Sequence, residues 1–312
     1  MQENNNSQPL MVSIKCITYN HEPYIRQCLE GFVMQKTNFR FEAVVHDDAS
    51  TDGTADIIRE YAEKYPDIIK PIYETENQYS KKDGSLGRIM DAACTGKYIA
   101  MCEGDDYWTD PLKLQKQVDI LESNPEVGLV HTDFDLVKGK RRHFKRSSKP
   151  EGYLSFILNG NFKIGTLTVV YRRSLYNELS KDWNKIEPRL LMGDLPLWIE
   201  LAAISQFVYI SVSTARYRVL LNSASHSSDI NERIHFINNT MRCVNYYAKK
   251  YGLEGIGNEK YYAFIMRLSL KFRNKASAVY YFERAKSEHI VTIRILILYL
   301  LTLVLSKFFV RR

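Results

Sequence analysis

The feature that most constrains the fold is an alternation of two hydrophobic periodicities along the first 137 residues. Short apolar runs rich in β-branched residues, typical of buried strands, alternate with longer segments that have the apolar spacing of amphipathic helices. This pattern predicts an α/β fold whose mostly parallel sheet carries helices on both faces. Pro71 lacks a backbone donor, so it places its strand at a sheet edge or a bulge. The predicted strands are 11–18, 41–47, 67–74, 97–102 and 127–137, and the predicted helices are 22–35, 54–65, 85–94 and 111–124.

A strongly basic stretch follows this alternating region. Residues 138–150 hold seven Lys and Arg in a chain whose formal net charge is +7. The stretch is compatible with a solvated loop, and also with a patch for nucleic acid, anionic lipid or a phosphorylated substrate. No nucleic-acid-binding motif accompanies it, so we expect no nucleic-acid partner.

The remainder of the chain is predicted to be mixed at first and then helical. A strand-like segment at 163–175 precedes a helical segment at 190–205, in which Gly193 and Asp194 come just before the helix. Another strand is predicted at 207–219. Residues 231–288 have helical periodicity, with a break within 251–260.

Polar clusters follow three of the predicted strands. They read "TYNHE" (18–22), "HDDASTDGT" (46–54) and "EGDDYW" (103–108). Ligands of open α/β sheets bind outside the carboxyl ends of the strands. We therefore expect the three clusters to line one crevice.

The third cluster has the composition of a site for a hard divalent ion. Asp105 and Asp106 follow an apolar strand, and Gly104 gives the turn backbone freedom. Mg²⁺ and Mn²⁺ favour a few carboxylates and fill their other positions with water and phosphate oxygens. The alternative is a helix cap, but Asp110 is better placed for that role next to Pro111.

The second cluster combines a turn with two acids at a strand tip. Ser50, Asp52 and Thr54 suit a turn that opens the next helix. Asp47 and Asp48 remain available to accept hydrogen bonds from a base or a ribose. The chain lacks GxGxxG after its first strand and lacks GxxxxGK[ST], which argues against a Rossmann dehydrogenase and a P-loop NTPase.

Together these segments resemble the family 2 glycosyltransferases, which have the GT-A fold. The resemblance covers residues 11–220 and is carried by "VSIKCITYNHEPYIRQCLEGFVMQ", "EAVVHDDASTDGT", "GKYIAMCEGDDYW" and "MGDLPLWIEL". It implies an inverting enzyme that moves a sugar from a nucleotide diphosphate donor, most often UDP-linked, with Mg²⁺ or Mn²⁺. The implied acceptor is a hydroxyl of a saccharide or of a lipid-linked saccharide.

The resemblance also implies roles for particular residues. Asp194 falls where the family has its general base, Asp106 would bind the metal, and Asp105 would bind the metal or the ribose. His226 would reach the metal or the diphosphate, although it could equally be a plain loop residue. Arg88 and Arg218 are candidates for the donor phosphates or for surface ion pairs. The implied nucleotide-binding residues are Thr18, Tyr19, Asn20, Asp47, Asp48, Arg88 and Asp105, with Tyr19 and Asp48 at the uracil.

Two departures from the family pattern keep alternatives open. Glu103 stands where many members have the first Asp of a DxD motif, and the QxxRW motif of processive synthases is absent. A sugar nucleotidyltransferase is one alternative, but it would need a Gly-rich basic loop where "TYNHEPY" stands. An inactive nucleotide-sugar-binding protein is the other, although both Asp105–Asp106 and Asp194 are retained.

These expectations divide the chain into functional segments. Residues 1–10 would be a disordered leader, and 11–228 a catalytic domain with a nucleotide-sugar half (11–137) and an acceptor half (138–228). Residues 229–288 would form a helical extension, and 289–312 a membrane-associating tail.

The apolar C-terminal segment predicts contact with a membrane surface. Its uninterrupted core, 295–305, would span about 16 Å as a helix, roughly half of the hydrocarbon thickness of a bilayer. Arg294, Lys307, Arg311 and Arg312 flank this core. We therefore expect a helix on the cytoplasmic leaflet, with a full span, a buried helix or a dimer contact as alternatives.

The five cysteines form no CxxC pair and no signal peptide is recognisable, which favours a reducing, cytoplasmic setting.

Overall fold

The computed structural model describes residues 9–138, 141–145, 152–161, 164–179, 190–220 and 227–307. The chain divides into two compact units. The first comprises residues 1–150, 163–185 and 200–219, and the second comprises residues 151–162, 186–199 and 220–312. The elements in chain order are β1 (Leu10–Thr18), α1 (Glu22–Val33), β2 (Arg40–Asp47), α2 (Thr54–Lys64), β3 (Ile69–Tyr73), α3 (Ser85–Ala93), β4 (Tyr98–Met101), β5 (Tyr107–Trp108), α4 (Lys113–Ser123), β6 (Val127–Lys138), β7 (Arg141–Lys145), α5 (Tyr153–Leu158), β8 (Val170–Arg172), α6 (Arg173–Leu179), α7 (Asp194–Ile204), β9 (Gln206–Arg218), α8 (Ile230–Tyr251), α9 (Asn258–Lys271), α10 (Lys275–Ser287) and α11 (Ile293–Lys307).

The strands form one sheet in the first unit. Over the described residues it has nine strands in the order β3-β2-β1-β4-β8-β6-β9-β5, with β7 beside β6. The pairings of β1 with β2 and β4, and of β2 with β3, are parallel, as is the pairing of β6 with β9. The α/β prediction is confirmed, and β3, which contains Pro71, lies at the sheet edge as predicted.

The sheet also contains antiparallel pairs that the periodicity does not reveal. β8 pairs antiparallel with both β4 and β6, and β5 pairs antiparallel with β9. β8 has three residues and β5 has two, which is too short for a period-two pattern to be recognised. Where a single strand was expected at 163–175, the chain forms a 3₁₀ turn at Thr166–Thr168, then β8 and the start of α6.

Within the basic stretch, the interpretation as a solvated loop does not hold for residues 141–145. They form β7, which pairs antiparallel with β6 from Lys138↔Arg141 to Phe134↔Lys145. Ladder hydrogen bonds of the backbone require no apolar side chains. A basic sequence without hydrophobic alternation therefore gives no sign of such a strand.

Helix α1 shows how the predicted apolar faces form the core of the first unit. Proline in the first turn favours helix initiation, and Ile25, Leu29 and Phe32 are buried on one face. Phe32 packs edge-to-face on Trp108, with ring centroids 5.1 Å apart. The indole N–H of Trp108 donates to the carbonyl of Leu167 at 2.8 Å, so the ring is fixed as well as buried.

The second unit is helical where the sequence predicts it. Asp229 caps α8 by accepting hydrogen bonds from the N–H groups of Asn231 and Glu232, and Gly252 ends the helix with a positive φ of 64°. The predicted break thus lies between Tyr251 and Asn258. In the described part of the chain, no helix combines the length and the apolar character that a bilayer span needs.

Candidate active site

The loops that follow β1 and β2 are joined by Asn20. Its backbone N–H donates to the hydroxyl of Ser50 at 2.9 Å, and its side-chain oxygen accepts from the N–H of Thr51 at 2.8 Å. Asn20 has a φ of 53°, a left-handed conformation that asparagine tolerates better than most residues. The side chain that was predicted to bind nucleotide therefore also fixes one strand-end loop against the next.

The neighbouring contacts continue this junction. The N–H of His21 donates to the Thr54 hydroxyl at 2.9 Å, and the N–H of Glu22 donates to the Asp52 carboxylate at 3.1 Å. Asp52 also accepts from the N–H of Thr54 at 3.0 Å, which closes the turn before α2. Asp52 and Thr54 thus act as turn residues here.

The loop after β4 approaches β1 so closely that Gly104 has no room for a side chain. A Cβ at this position would lie 2.7 Å from the Thr18 Cβ and 2.6 Å from its hydroxyl oxygen. The N–H of Gly104 donates to the carbonyl of Ile17 at 3.0 Å. The glycine is therefore required by this close approach rather than by the backbone freedom that was predicted.

Asp106 is a buried carboxylate among like charges. It is 3% exposed, and one of its oxygens accepts from the Arg218 N–H at 2.8 Å. Burial, and next the negative charge of Asp105, raise the pKa of Asp106 well above its usual range, with a further contribution from Glu103. The N–H of Arg218 acts in the opposite direction, but it does not offset these effects.

Several polar atoms around Asp106 are buried without a hydrogen-bond partner among the described residues. They are the Thr18 hydroxyl, Nδ1 of His21, Oδ1 of Asp47 and Oδ1 of Asp105. Buried polar atoms are normally paired, and several unpaired ones in neighbouring loops are typical of a site that binds a ligand. A divalent cation at Asp105 and Asp106 would offset their mutual repulsion, so these residues fit the predicted Mg²⁺ or Mn²⁺.

This site offers a cation few protein ligands. Over the residues the structure describes, no group of three or more His, Cys, Asp and Glu side chains could hold a metal by itself. His226, the third predicted ligand, lies outside the described residues. Two acids suit Mg²⁺, which keeps several positions for water and substrate phosphates.

Two residues that were not assigned to the metal site lie beside it. The Arg218 guanidinium lies over the ring of Tyr107 at 4.4 Å and over that of Tyr24 at 5.1 Å, and it donates to the carbonyl of Asp105. Burial lowers the pKa of His21, while the negative charge of Asp105 acts in the opposite direction. The sequence offered a clue to the position of His21, because this histidine of "TYNHE" directly follows the predicted nucleotide-binding residues.

The two acids at the tip of β2 have different surroundings. The carboxylate of Asp48 accepts from the N–H groups of Gln78 and Tyr79 at 2.7 and 3.0 Å, so it anchors the 3₁₀ turn that begins at Tyr79. Asp47 accepts from the N–H of Ser50 at 3.4 Å, and its other oxygen is the unpaired one described above. Both acids are buried, and a carboxylate retains further acceptor sites after two such bonds.

Three other predicted residues are placed as follows. Tyr19 is 44% exposed beside the strand-end loops. Arg88 donates to the carbonyl of Asp83 at 2.8 Å and lies 3.8 Å from its carboxylate. Asp194 is the first residue of α7 and belongs to the second unit, where its carboxylate accepts from the N–H of Leu195 at 2.8 Å.

An α/β sheet with an acidic cluster at its strand ends is the architecture of nucleotide-binding α/β enzymes. The sequence profile described as "Glycosyl transferase family 2" matches residues 13–179, which is more than half of the chain. The chain belongs to this family. The predicted assignment is confirmed, and with it the general class of glycosyltransferases.

Individual relatives include an uncharacterized protein and a putative glycosyltransferase. An uncharacterized protein of Mycobacterium tuberculosis is 36% identical over 228 residues, which cover 71% of this chain and 62% of the relative. The match thus spans less than two thirds of that relative's length. The putative teichuronic acid biosynthesis glycosyltransferase TuaG of Bacillus subtilis is 29% identical over 260 residues, covering 78% of this chain and 96% of TuaG.

A solved structure shares the fold. The crystal structure of residues 1–349 of S. aureus TarS in complex with UDP-GlcNAc superposes with a TM-score of 0.55 and 18% identity, covering 84% of this chain and 73% of that fragment. At this identity the likeness concerns the fold alone, and it confirms the predicted GT-A-like architecture.

Proposed function

We propose that this chain transfers a sugar from a nucleotide diphosphate donor, UDP-linked, to a hydroxyl of a saccharide or a lipid-linked saccharide, with inversion. The observation that carries the proposal is the neighbouring pair Asp105 and Asp106: Asp106 is buried beside like charges, and Oδ1 of Asp105 has no hydrogen-bond partner among the described residues. A divalent ion with a diphosphate would complete this site. Family membership supports the same chemistry.

The strand-end loops would hold the nucleotide. Tyr19 is exposed enough to pack on a base, and Asp47 and Asp48 would accept hydrogen bonds from the base or the ribose, with Thr18 and Asn20 beside them. TarS, which has the same fold, binds UDP-GlcNAc, and this supports a UDP-linked donor. Arg88 and Arg218 are the proposed partners of the donor phosphates.

Mg²⁺ or Mn²⁺ would be held by Asp106 and Asp105, with His226 as a further proposed ligand. When bound, such an ion offsets the negative charge that develops on the departing nucleotide diphosphate. The Arg218 guanidinium holds the backbone of Asp105 and thereby keeps the acids in place.

Asp194 is the proposed general base. The acceptor oxygen forms a bond to the anomeric carbon while the bond from that carbon to the diphosphate oxygen breaks. The leaving group takes the bonding electrons, and the proton of the acceptor hydroxyl passes to Asp194. Attack from the face opposite the leaving group inverts the anomeric centre, so no covalent sugar–enzyme intermediate is required.

We further propose that the reaction occurs in the cytoplasm at the inner face of the cell membrane, on an acceptor used in surface-polysaccharide synthesis. The basic, apolar C-terminal segment supports this location, and the name of TuaG refers to synthesis of such a polymer.

Release of UDP from a panel of UDP-sugars, with Mn²⁺ and with and without saccharide acceptors, tests the proposal. Asp194→Asn should abolish transfer and leave UDP binding nearly unchanged, because the amide cannot take the proton. Asp56→Asn, at an exposed position of α2, is the matched control. Near-normal turnover of Asp194→Asn would refute the assignment of the base. Release of pyrophosphate from UTP and a sugar 1-phosphate, without release of UDP from UDP-sugars, would indicate a nucleotidyltransferase.

A further inference from the structure

Helix α11 exposes a continuous apolar surface. Successive exposed aliphatic residues are separated alternately by three positions and by one position along the helix, and this spacing places them on one side of it. Ile293 is 79% exposed, and the others are between 40% and 52% exposed. We call this surface the aliphatic stripe; it consists of Ile293, Leu296, Ile297, Leu300, Leu301, Val304 and Leu305.

The opposite side of α11 is packed within the second unit. Ile295 and Thr302 are fully buried, and the ring of Tyr299 stacks on that of Phe282 with centroids 4.0 Å apart. α11 contacts both α9 and α10. The helix is therefore anchored by one side, and its apolar character exceeds what this packing requires.

We propose that the aliphatic stripe is a membrane-docking surface that lies in the plane of an anionic leaflet, at the boundary between headgroups and acyl chains. Arg294 is exposed next to the stripe. From residue 289 to 312 the sequence contains four Lys and Arg residues and no Asp or Glu. This combination of an aliphatic face with basic flanks suits anionic lipid headgroups.

The composition of the stripe favours lipid over a protein partner. A helix of 15 residues is about 22 Å long, so the stripe can lie along the plane of a leaflet over its whole length. The stripe also lacks the Trp, Tyr and Arg anchors that dominate protein interfaces. A length of about 22 Å is shorter than the ~30 Å hydrocarbon core of a bilayer, which favours a position of the described helix in the plane of the leaflet.

This inference deepens the membrane location in the proposed function, but it does not depend on the sugar-transfer reaction. Co-sedimentation of the full chain with vesicles tests it, using phosphatidylcholine with and without phosphatidylglycerol. We expect binding that increases with phosphatidylglycerol. Ile297→Glu combined with Leu301→Glu should weaken it by at least about tenfold, because each carboxylate would enter the acyl boundary.

The matched control is Val212→Glu combined with Leu253→Glu, which introduces the same two charges at aliphatic residues of similar exposure (44% and 40%) outside the stripe. It should bind vesicles as the wild type does, and circular dichroism of all variants should show unchanged helix content. Vesicle binding by the stripe double variant at the wild-type level would overturn the proposal. A dimer that the stripe double variant dissociates, without vesicle binding by the wild type, would overturn it as well. UDP titration separates the two proposals, since the stripe variants should bind UDP normally.

Discussion

Asp106 and Lys113 are both almost completely buried in the first unit, but the groups that surround the two charges are of different kinds. Burial shifts each pKa towards the neutral form: that of Asp106 is raised well above its usual range, and that of Lys113 is lowered to about 7. Asp106 lies among other acids, whereas the ammonium of Lys113 donates to the Gln117 side-chain oxygen at 2.6 Å and lies 4.4 Å from the centroid of the Trp108 ring.

The surroundings of Lys113 are those of a buried charge with a structural role, whereas those of Asp106 are typical of a charge that binds a ligand. Lys113 has a neutral acceptor and an aromatic face, which replace part of the hydration that its ammonium loses on burial. Gln117 is itself fixed, because its amide donates to the carbonyls of Val130 and Thr168. Asp106 has the negative charges of Asp105 and Glu103 beside it, and the charge and backbone N–H of Arg218 do not compensate for them, so an added cation would stabilise the ionised form of Asp106.

The largest expected effect is therefore that of Asp106→Asn. We expect loss of manganese-assisted UDP binding and a decrease in transfer rate of about 10³-fold or more, since a ligand of the ion is removed. The measurement is calorimetric titration with UDP in the presence and absence of Mn²⁺. Asp56→Asn should retain both binding and rate; a titration of Asp106→Asn that matches the wild type would contradict the assignment of a metal ligand.

Lys113→Met should alter the dependence of stability on pH instead of ligand binding. The folded protein holds Lys113 with a pKa of about 7, whereas an unfolded chain binds that proton up to a pKa of about 10.4. The unfolded state thus binds more protons between these values, and the free energy of unfolding rises with pH by up to about 1.4 kcal/mol per unit in this window. The variant should lose this contribution.

Urea unfolding between pH 7 and 10 measures how steeply the free energy of unfolding rises with pH. Lys113→Met also leaves the Gln117 side-chain oxygen without its donor, but this lowers the stability by the same amount at every pH and does not change the slope. Lys64→Met is the matched control, because Lys64 also lies over an aromatic ring, that of Tyr65 at 5.2 Å, but is exposed. An unchanged slope in Lys113→Met would mean that the buried lysine does not titrate in this range.

The same two residues illustrate how far the sequence predicts the fold and the site. Short strands alternating with amphipathic helices indicate the parallel part of the sheet, and the strand-end rule brings "TYNHE", "HDDASTDGT" and "EGDDYW" together. Asp106 is therefore found from local sequence. Lys113 is not, because a lysine in a helix is normally exposed and its burial depends on Gln117 and Trp108.

The contact between Arg218 and Asp105 could not be predicted from the sequence, for a different reason. It lies 113 positions after Asp105 in the chain, and β9 brings the two together by pairing with the two-residue strand β5. The pairing of so short a strand depends on the tertiary fold and leaves no periodic signal. The close approach of Gly104 to Thr18 is likewise a property of the packed loops and not of the turn sequence.

The smallest expected effect is that of Arg218→Lys, which keeps the charge near Asp106 and removes the planar group. A lysine ammonium cannot lie flat on Tyr107 and Tyr24 while it donates to the carbonyl of Asp105. Loss of this stacking, worth about 1 kcal/mol, should weaken UDP binding in the presence of Mn²⁺ by roughly fivefold. Arg88→Lys tests the other proposed phosphate partner, which pairs with Asp83 at an exposed position. If Arg88→Lys weakened UDP binding more than Arg218→Lys, the phosphate-binding role would belong to α3. If Arg218→Lys bound UDP as the wild type does, the Arg218 guanidinium would not be needed to position the acids at the end of β4.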